Sequence, residues 1–260
     1  MANIICIANQ KGGVGKTTTA INLSASLAVS EERTLLVDCD PQANATSGVG
    51  INRSTTDKTL YHGMLGQAGS QSLVKDSAIA TLKVIPANRE LIGFEVEMMS
   101  SPNRDKALKN LLADLDSSFE YIIIDCPPSL SLLTVNALTA ADSVLIPLQC
   151  EFYALEGLGQ LLQTVKRIRQ ALNPDLKIAG ILLTMFDQRT NLSHQVAEEA
   201  EKYFDNLVFK TIIPRNIRLG EAPSFGKPIL LYDATSTGAR SYLELAKEIL
   251  ANGDSGTLND

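Results

Sequence analysis

Apolar and polar positions divide the chain into short, nearly continuous hydrophobic runs separated by longer amphipathic stretches. The runs fall at 4–8, within 33–42, and at 82–87, 121–125, 142–148, 177–185 and 207–213. Each is too short for a helix and too uniformly apolar for a strand with one wet face, so each reads as a strand buried on both sides. Between them, helices are expected at 20–28, 59–65, 73–79, 90–99, 105–115, 131–140, 153–172, 191–204 and 238–250. Strand–helix alternation over the whole length predicts an α/β fold. One domain, residues 1–251, holds a mostly parallel twisted sheet covered by helices on both faces. Residues 252–260 are expected to be a polar, acidic, disordered tail.

In such sheets ligands bind beyond the carboxyl ends of the strands, so the residues that follow each run matter most. After the first run comes Asn9-Gln10-Lys11-Gly12-Gly13-Val14-Gly15-Lys16-Thr17-Thr18-Thr19. Strand, glycine-rich loop, Lys-Thr and helix together make a phosphate-binding loop. Its glycines let backbone N–H groups turn toward a polyphosphate, and the helix N-terminus adds a positive end. Lys16 supplies a charge for β/γ-phosphates, and the Thr17 hydroxyl can ligate Mg²⁺. Gln10 stands where the common pattern has glycine, with a second lysine, Lys11, beside it. The second run ends in Asp38-Cys39-Asp40-Pro41, which brings two acids to the same rim. The fourth ends in Asp125-Cys126-Pro127-Pro128, a carboxylate suited to a Mg²⁺ site.

Composition narrows the class. The 260 residues are 45% hydrophobic and 20% charged, with net charge −6, an ordinary globular balance that argues against a wholly basic nucleic-acid coat. No apolar run approaches the roughly 20 residues of a membrane helix, and functional residues beginning at Lys11 leave no room for a signal peptide. Cys6, Cys39, Cys126 and Cys150 lack metal-ligand spacing and read as reduced residues at strand ends of a cytosolic protein. Met98 and Met99 are expected to pack. Lys166-Arg167-Ile168-Arg169 reads first as a solvated helix face, with a DNA- or partner-facing role as the alternative.

The motifs together resemble a family. Lys11-Gly12-Gly13-Val14-Gly15-Lys16-Thr17-Thr18 is similar to the deviant Walker A motif of the MinD/ParA superfamily of P-loop NTPases. Val37-Asp38-Cys39-Asp40-Pro41-Gln42 resembles its Walker A′, and Ile124-Asp125-Cys126-Pro127-Pro128-Ser129 its Walker B. Ala154-Leu155-Glu156-Gly157 and the stretch from Ile213 to Ser224 (IPRNIRLGEAPS) resemble the ParA/Soj-type partition ATPases in particular.

That resemblance implies an ATPase using ATP and Mg²⁺, cytoplasmic and nucleoid-associated, that segregates chromosomes or plasmids. ATP binding makes a sandwich homodimer that binds double-stranded DNA without sequence preference. A ParB-type partner stimulates hydrolysis and release. Lys11 reaches across the dimer to the partner's phosphates. Residues from Lys11 to Thr18 hold the nucleotide, and Thr17, Asp38 and Asp125 sit at the metal. Asp40 positions the attacking water. Pro214 and Asn216 line the adenine pocket, with Met185 beside it, and Arg189, Arg215, Arg218 and Lys227 are the DNA candidates. A ParA relative that positions a non-DNA cargo is the near alternative; a MinD-like membrane ATPase, an iron–sulfur electron carrier and a non-hydrolysing scaffold are the competing readings. The acidic C-terminal stretch, the cysteine context and the presence of Asp40 with both lysines weigh against them in turn.

Overall fold

β1 (Asn3–Ile7), β2 (Thr34–Asp38), β3 (Lys75–Asp76), β4 (Leu82–Ile85), β5 (Tyr121–Asp125), β6 (Ser143–Gln149) and β7 (Lys177–Thr184) form one sheet. The strand order is β3-β4-β2-β5-β1-β6-β7, and only β3 against β4 is antiparallel. The computed structural model describes residues 1–53, 56–152 and 154–254. From β1 the chain builds outward first to one side and later, through β6 and β7, to the other. The reversal opens a crevice at the carboxyl end of β1, where the glycine-rich loop begins.

The central strands are buried on both faces, and their side chains alternate between two cores. Ile5, Ile7, Leu36, Ile123 and Leu145 pack with the helices Lys16–Val29 and Thr237–Asp254. Cys6, Leu35, Val37, Ile122, Ile124, Val144 and Ile146 pack on the opposite side with the helices Leu132–Ala140, Ala154–Ala171 and Asn191–Phe204. Buried Tyr242 shares a 3.1 Å hydrogen bond with the hydroxyl of Thr19, tying the last helix to the one that follows the loop.

Several expectations need correction. Residues 73–79 are not a helix. A short helix ends at Leu73, and Lys75–Asp76 then pairs with β4, helped by a 2.7 Å ion pair between Lys83 and Asp76. Residues 207–213 are not a strand. The segment touches β7 at isolated bridges, Ile181 with Val208 and Phe186 with Pro214. Between them the N–H groups of Lys210 and Thr211 donate to the Glu248 carboxylate at 2.8 and 3.0 Å, which diverts them from a ladder. Met99 is 65% exposed, because its helix, Leu91–Glu97, ends before it. The helix Asn44–Gly48 was not expected. The final helix runs to Asp254, while Tyr153 and residues 255–260 lie outside the described residues. All four cysteines are buried and free. Lys166, Arg167 and Arg169 are exposed around buried Ile168, as a solvated helix face requires.

Candidate functional site

β5 lies between β1 and β2, with Ile7 opposite Asp125 and Asp38 opposite Asp125 in register. The ladder continues past the strands: the Cys39 N–H donates to the Asp125 carbonyl at 2.9 Å. Three rim segments therefore reach one crevice: 8–16, 38–40 and 125–126. This convergence follows from strand order, which no single stretch of sequence displays.

The loop needs its glycines at two points. Gly13 and Gly15 have φ of 78° and 92°, the left-handed region where a side chain is strained. The loop is also pinned by residues that sequence reasoning passed over. Buried Asn9 donates to the Pro147 carbonyl at 2.7 Å and accepts from the Lys11 N–H at 3.0 Å. Thr184, at the end of β7, donates its hydroxyl to the Val14 carbonyl at 2.9 Å. A Cβ on Gly15 would lie 3.9 Å from both Thr184 and Met185. Met185, itself left-handed at φ 51°, thus closes the loop from the β7 side. An Asn after a strand and a Thr ending one are common, so only the folded contacts reveal these roles.

Lys16 is buried and donates to the Lys11 carbonyl at 2.9 Å. Burial lowers its pKa, opposed by the nearby Asp125, Cys126 and Asp40. Lys11 forms an ion pair with Glu151 just after β6.

The two rim carboxylates on β2 and β5 differ in their surroundings. Asp38 is fully buried but well bonded: Oδ1 accepts from the Asp40 N–H, and Oδ2 accepts from the Thr46 N–H and hydroxyl. Burial pushes its pKa up to about 6 despite those bonds. Asp125 is equally buried, yet neither of its oxygens has a hydrogen-bond partner among the described residues. The Thr17 hydroxyl and the Lys16 ammonium favour its charged form. Burial, and then Asp38, hold its pKa well above the usual carboxylate range. A buried carboxylate with open lone pairs beside a threonine hydroxyl offers the oxygen donors that fit a hard divalent cation. Asp40 is buried too, and its Oδ1 accepts from the Gln42 N–H at 2.8 Å.

The remaining sequence-derived residues follow β7. Pro214 bridges to Phe186. Asn216 caps the helix Ile217–Glu221 by accepting from the Arg218 N–H at 2.8 Å, and its amide donates to Thr237 at 2.6 Å. Its side chain is thus already committed to holding the segment in place. Arg189, Arg215, Arg218 and Lys227 are exposed. Arg189 is doubly hydrogen-bonded to Asp187. Arg218 pairs with Glu221 at 2.9 Å and with Asp233 at 3.7 Å. Two of the four cations are therefore neutralised by neighbours.

Known proteins share this arrangement. Residues 2–178 match a family described as an AAA domain. The chain is 58% identical to a chromosome partitioning protein ParA of Myxococcus xanthus, over 96% of this chain and 88% of that one. It is 56% identical to the sporulation initiation inhibitor protein Soj of Bacillus subtilis, over 97% and 100%. A Mycobacterium smegmatis structure described as cobyrinic acid a,c-diamide synthase with bound ADP and magnesium superposes with a TM-score of 0.87 at 37% identity. It covers 99% of this chain and 97% of that one.

Proposed function

This chain belongs to the ParA/Soj family of chromosome-partitioning ATPases, and from that premise we propose that it is a DNA-partitioning switch driven by ATP and Mg²⁺. In the ATP form it is a homodimer that binds double-stranded DNA without sequence preference. A ParB-type partner stimulates hydrolysis and returns it to a DNA-free state. The observation that carries this reading is the buried Asp125 carboxylate, unpartnered among the described residues, beside Lys16 and Thr17 on the rim that also presents Asp40.

Hydrolysis of a γ-phosphate is largely positioning and charge stabilisation. The loop amides from Gly12 to Thr18 and the Lys16 ammonium hold the β- and γ-phosphates. Thr17 and Asp125 hold Mg²⁺, which neutralises phosphate charge when bound. Asp38 serves the same centre by ordering the 38–46 turn. Asp40 orients the attacking water. Lys11 exchanges Glu151 for the nucleotide of a second copy, which links nucleotide state to dimerisation. Pro214, Asn216 and Met185 form the base side. DNA is held by phosphate contacts from Arg189, Arg215, Arg218 and Lys227, so binding weakens with salt.

The test is DNA binding measured without nucleotide, with ADP and with ATP. Binding with ATP alone is expected. Equal binding in all three conditions, or none with ATP, overturns the switch.

A further inference from the structure

We infer that Thr46 is a positioning residue for hydrolysis, acting through the Asp38 carboxylate to hold the turn that presents Asp40. Thr46 lies in the helix Asn44–Gly48 and is fully buried. Its backbone N–H and its hydroxyl both donate to Asp38 Oδ2, each at 2.7 Å. The other oxygen, Oδ1, accepts from the Asp40 N–H at 3.1 Å. One carboxylate thus closes the turn from both ends. Within the turn, Asp40 receives two further bonds, from the Gln42 N–H to its side chain and from the Ala43 N–H to its carbonyl, both at 2.8 Å.

The turn needs this closure. Ala43 has φ 53°, a left-handed conformation that a residue with a Cβ keeps only when its surroundings impose it. The Thr46 hydroxyl also accepts from the Ala87 N–H at 3.0 Å. Residue 87 follows β4, so one hydroxyl fastens the turn both to the β2 carboxylate and to the neighbouring rim. A hydroxyl has one proton to donate and lone pairs to accept. Here the proton goes to Asp38 and a lone pair to Ala87. Valine has the same shape but supplies neither bond. It would leave the Ala87 N–H and one carboxylate position unpaired in a buried site, and the turn free to shift.

Because Thr46 acts on Asp40 and not on the phosphates, its loss separates turnover from binding. The inference rests on the ATPase reading, so wild type is measured beside the variants. Thr46→Val, Thr46→Ser and Thr46→Ala are compared for Mg-ATP affinity by calorimetry and for kcat by phosphate release. Thr46→Val should bind ATP within about threefold of wild type while kcat falls at least tenfold, roughly the loss expected for a charge-assisted bond that fixes a reacting group. Thr46→Ser, which keeps the hydroxyl, should return kcat to within about twofold of wild type. A wild-type kcat in Thr46→Val overturns the inference. So does a parallel fall of affinity and kcat that serine does not rescue. If Thr46→Val fails to fold, Thr46→Ser against Thr46→Ala reads the same bond, and equal kcat in those two overturns it. A wild type that does not release phosphate removes the ATPase reading and this inference with it. An active wild type with an unaffected valine variant removes this inference alone.

Discussion

Asp38 and Asp125 are directly paired residues of β2 and β5, so two fully buried carboxylates stand side by side at one rim. Asp38 is fed by three donors, whereas Asp125 has no hydrogen-bond partner among the described residues. The pair divides the labour of the centre: one carboxylate organises the protein, and the other is open to a cation.

Burial raises Asp38 from its ordinary value of 3.8 to about 6. Between those values the native state keeps a proton that the unfolded chain has released. Stability of the metal-free protein therefore falls as pH rises through this window, and the loss persists above it. Asp38→Asn has no such titration. In EDTA, its melting temperature minus that of wild type should be greater at pH 7 than at pH 5, by on the order of 3–6 °C. A pH-independent difference would contradict the assignment.

Lys16→Ala removes a buried ammonium that sits among Asp125, Cys126 and Asp40. ATP affinity should fall by roughly 10- to 100-fold, the scale of a lost charged hydrogen bond. The ATP-induced mass increase in light scattering should disappear. A normal mass shift would show that the loop is not the nucleotide site.

Asp40→Ala leaves the loop, Thr17 and Asp125 untouched. ATP binding should stay within about threefold of wild type and turnover should drop by roughly 10²-fold or more. The variant should then remain on DNA with ATP. Wild-type phosphate release would remove Asp40 from the reaction.

Arg218→Glu reverses a charge already balanced by Glu221 and Asp233. It places three carboxylates together where DNA phosphates are proposed to lie. ATP-dependent DNA binding should be lost in gel shifts at low salt while dimerisation persists. Any residual binding should have a salt slope shallower by about one per lost contact. An unchanged shift takes Arg218 off the DNA face.

Much of the fold was legible because buried parallel strands declare themselves. The runs at 4–8, 121–125 and 142–148 coincide with β1, β5 and β6 to within a residue or two. The loop residues were equally plain, since Gly-Lys-Thr after such a run has few other uses. What sequence could not display were interactions made across the fold. Nothing local marks Asn9, Thr184 or Thr46, whose partners are Pro147, Val14, Asp38 and Ala87. The apolar stretch 207–213 misled because strand composition was overruled by a distant carboxylate, Glu248. The acids beside Arg189 and Arg218, Asp187 and Glu221, stand close to them in the sequence, whereas the approach of Asp233 to Arg218 is made only by the fold.

That capture by Glu248 has a wider consequence. Beyond β7, two N–H groups that could recruit another chain are occupied by a side chain of the molecule itself. At the other margin, β3 offers only two residues. Among the described residues, neither flank presents a long open row of backbone donors and acceptors, the feature by which sheets join edge to edge without limit. The proposed dimer therefore has to form through side chains and loops. An association made that way can be governed by what the crevice contains, and it can stop at two.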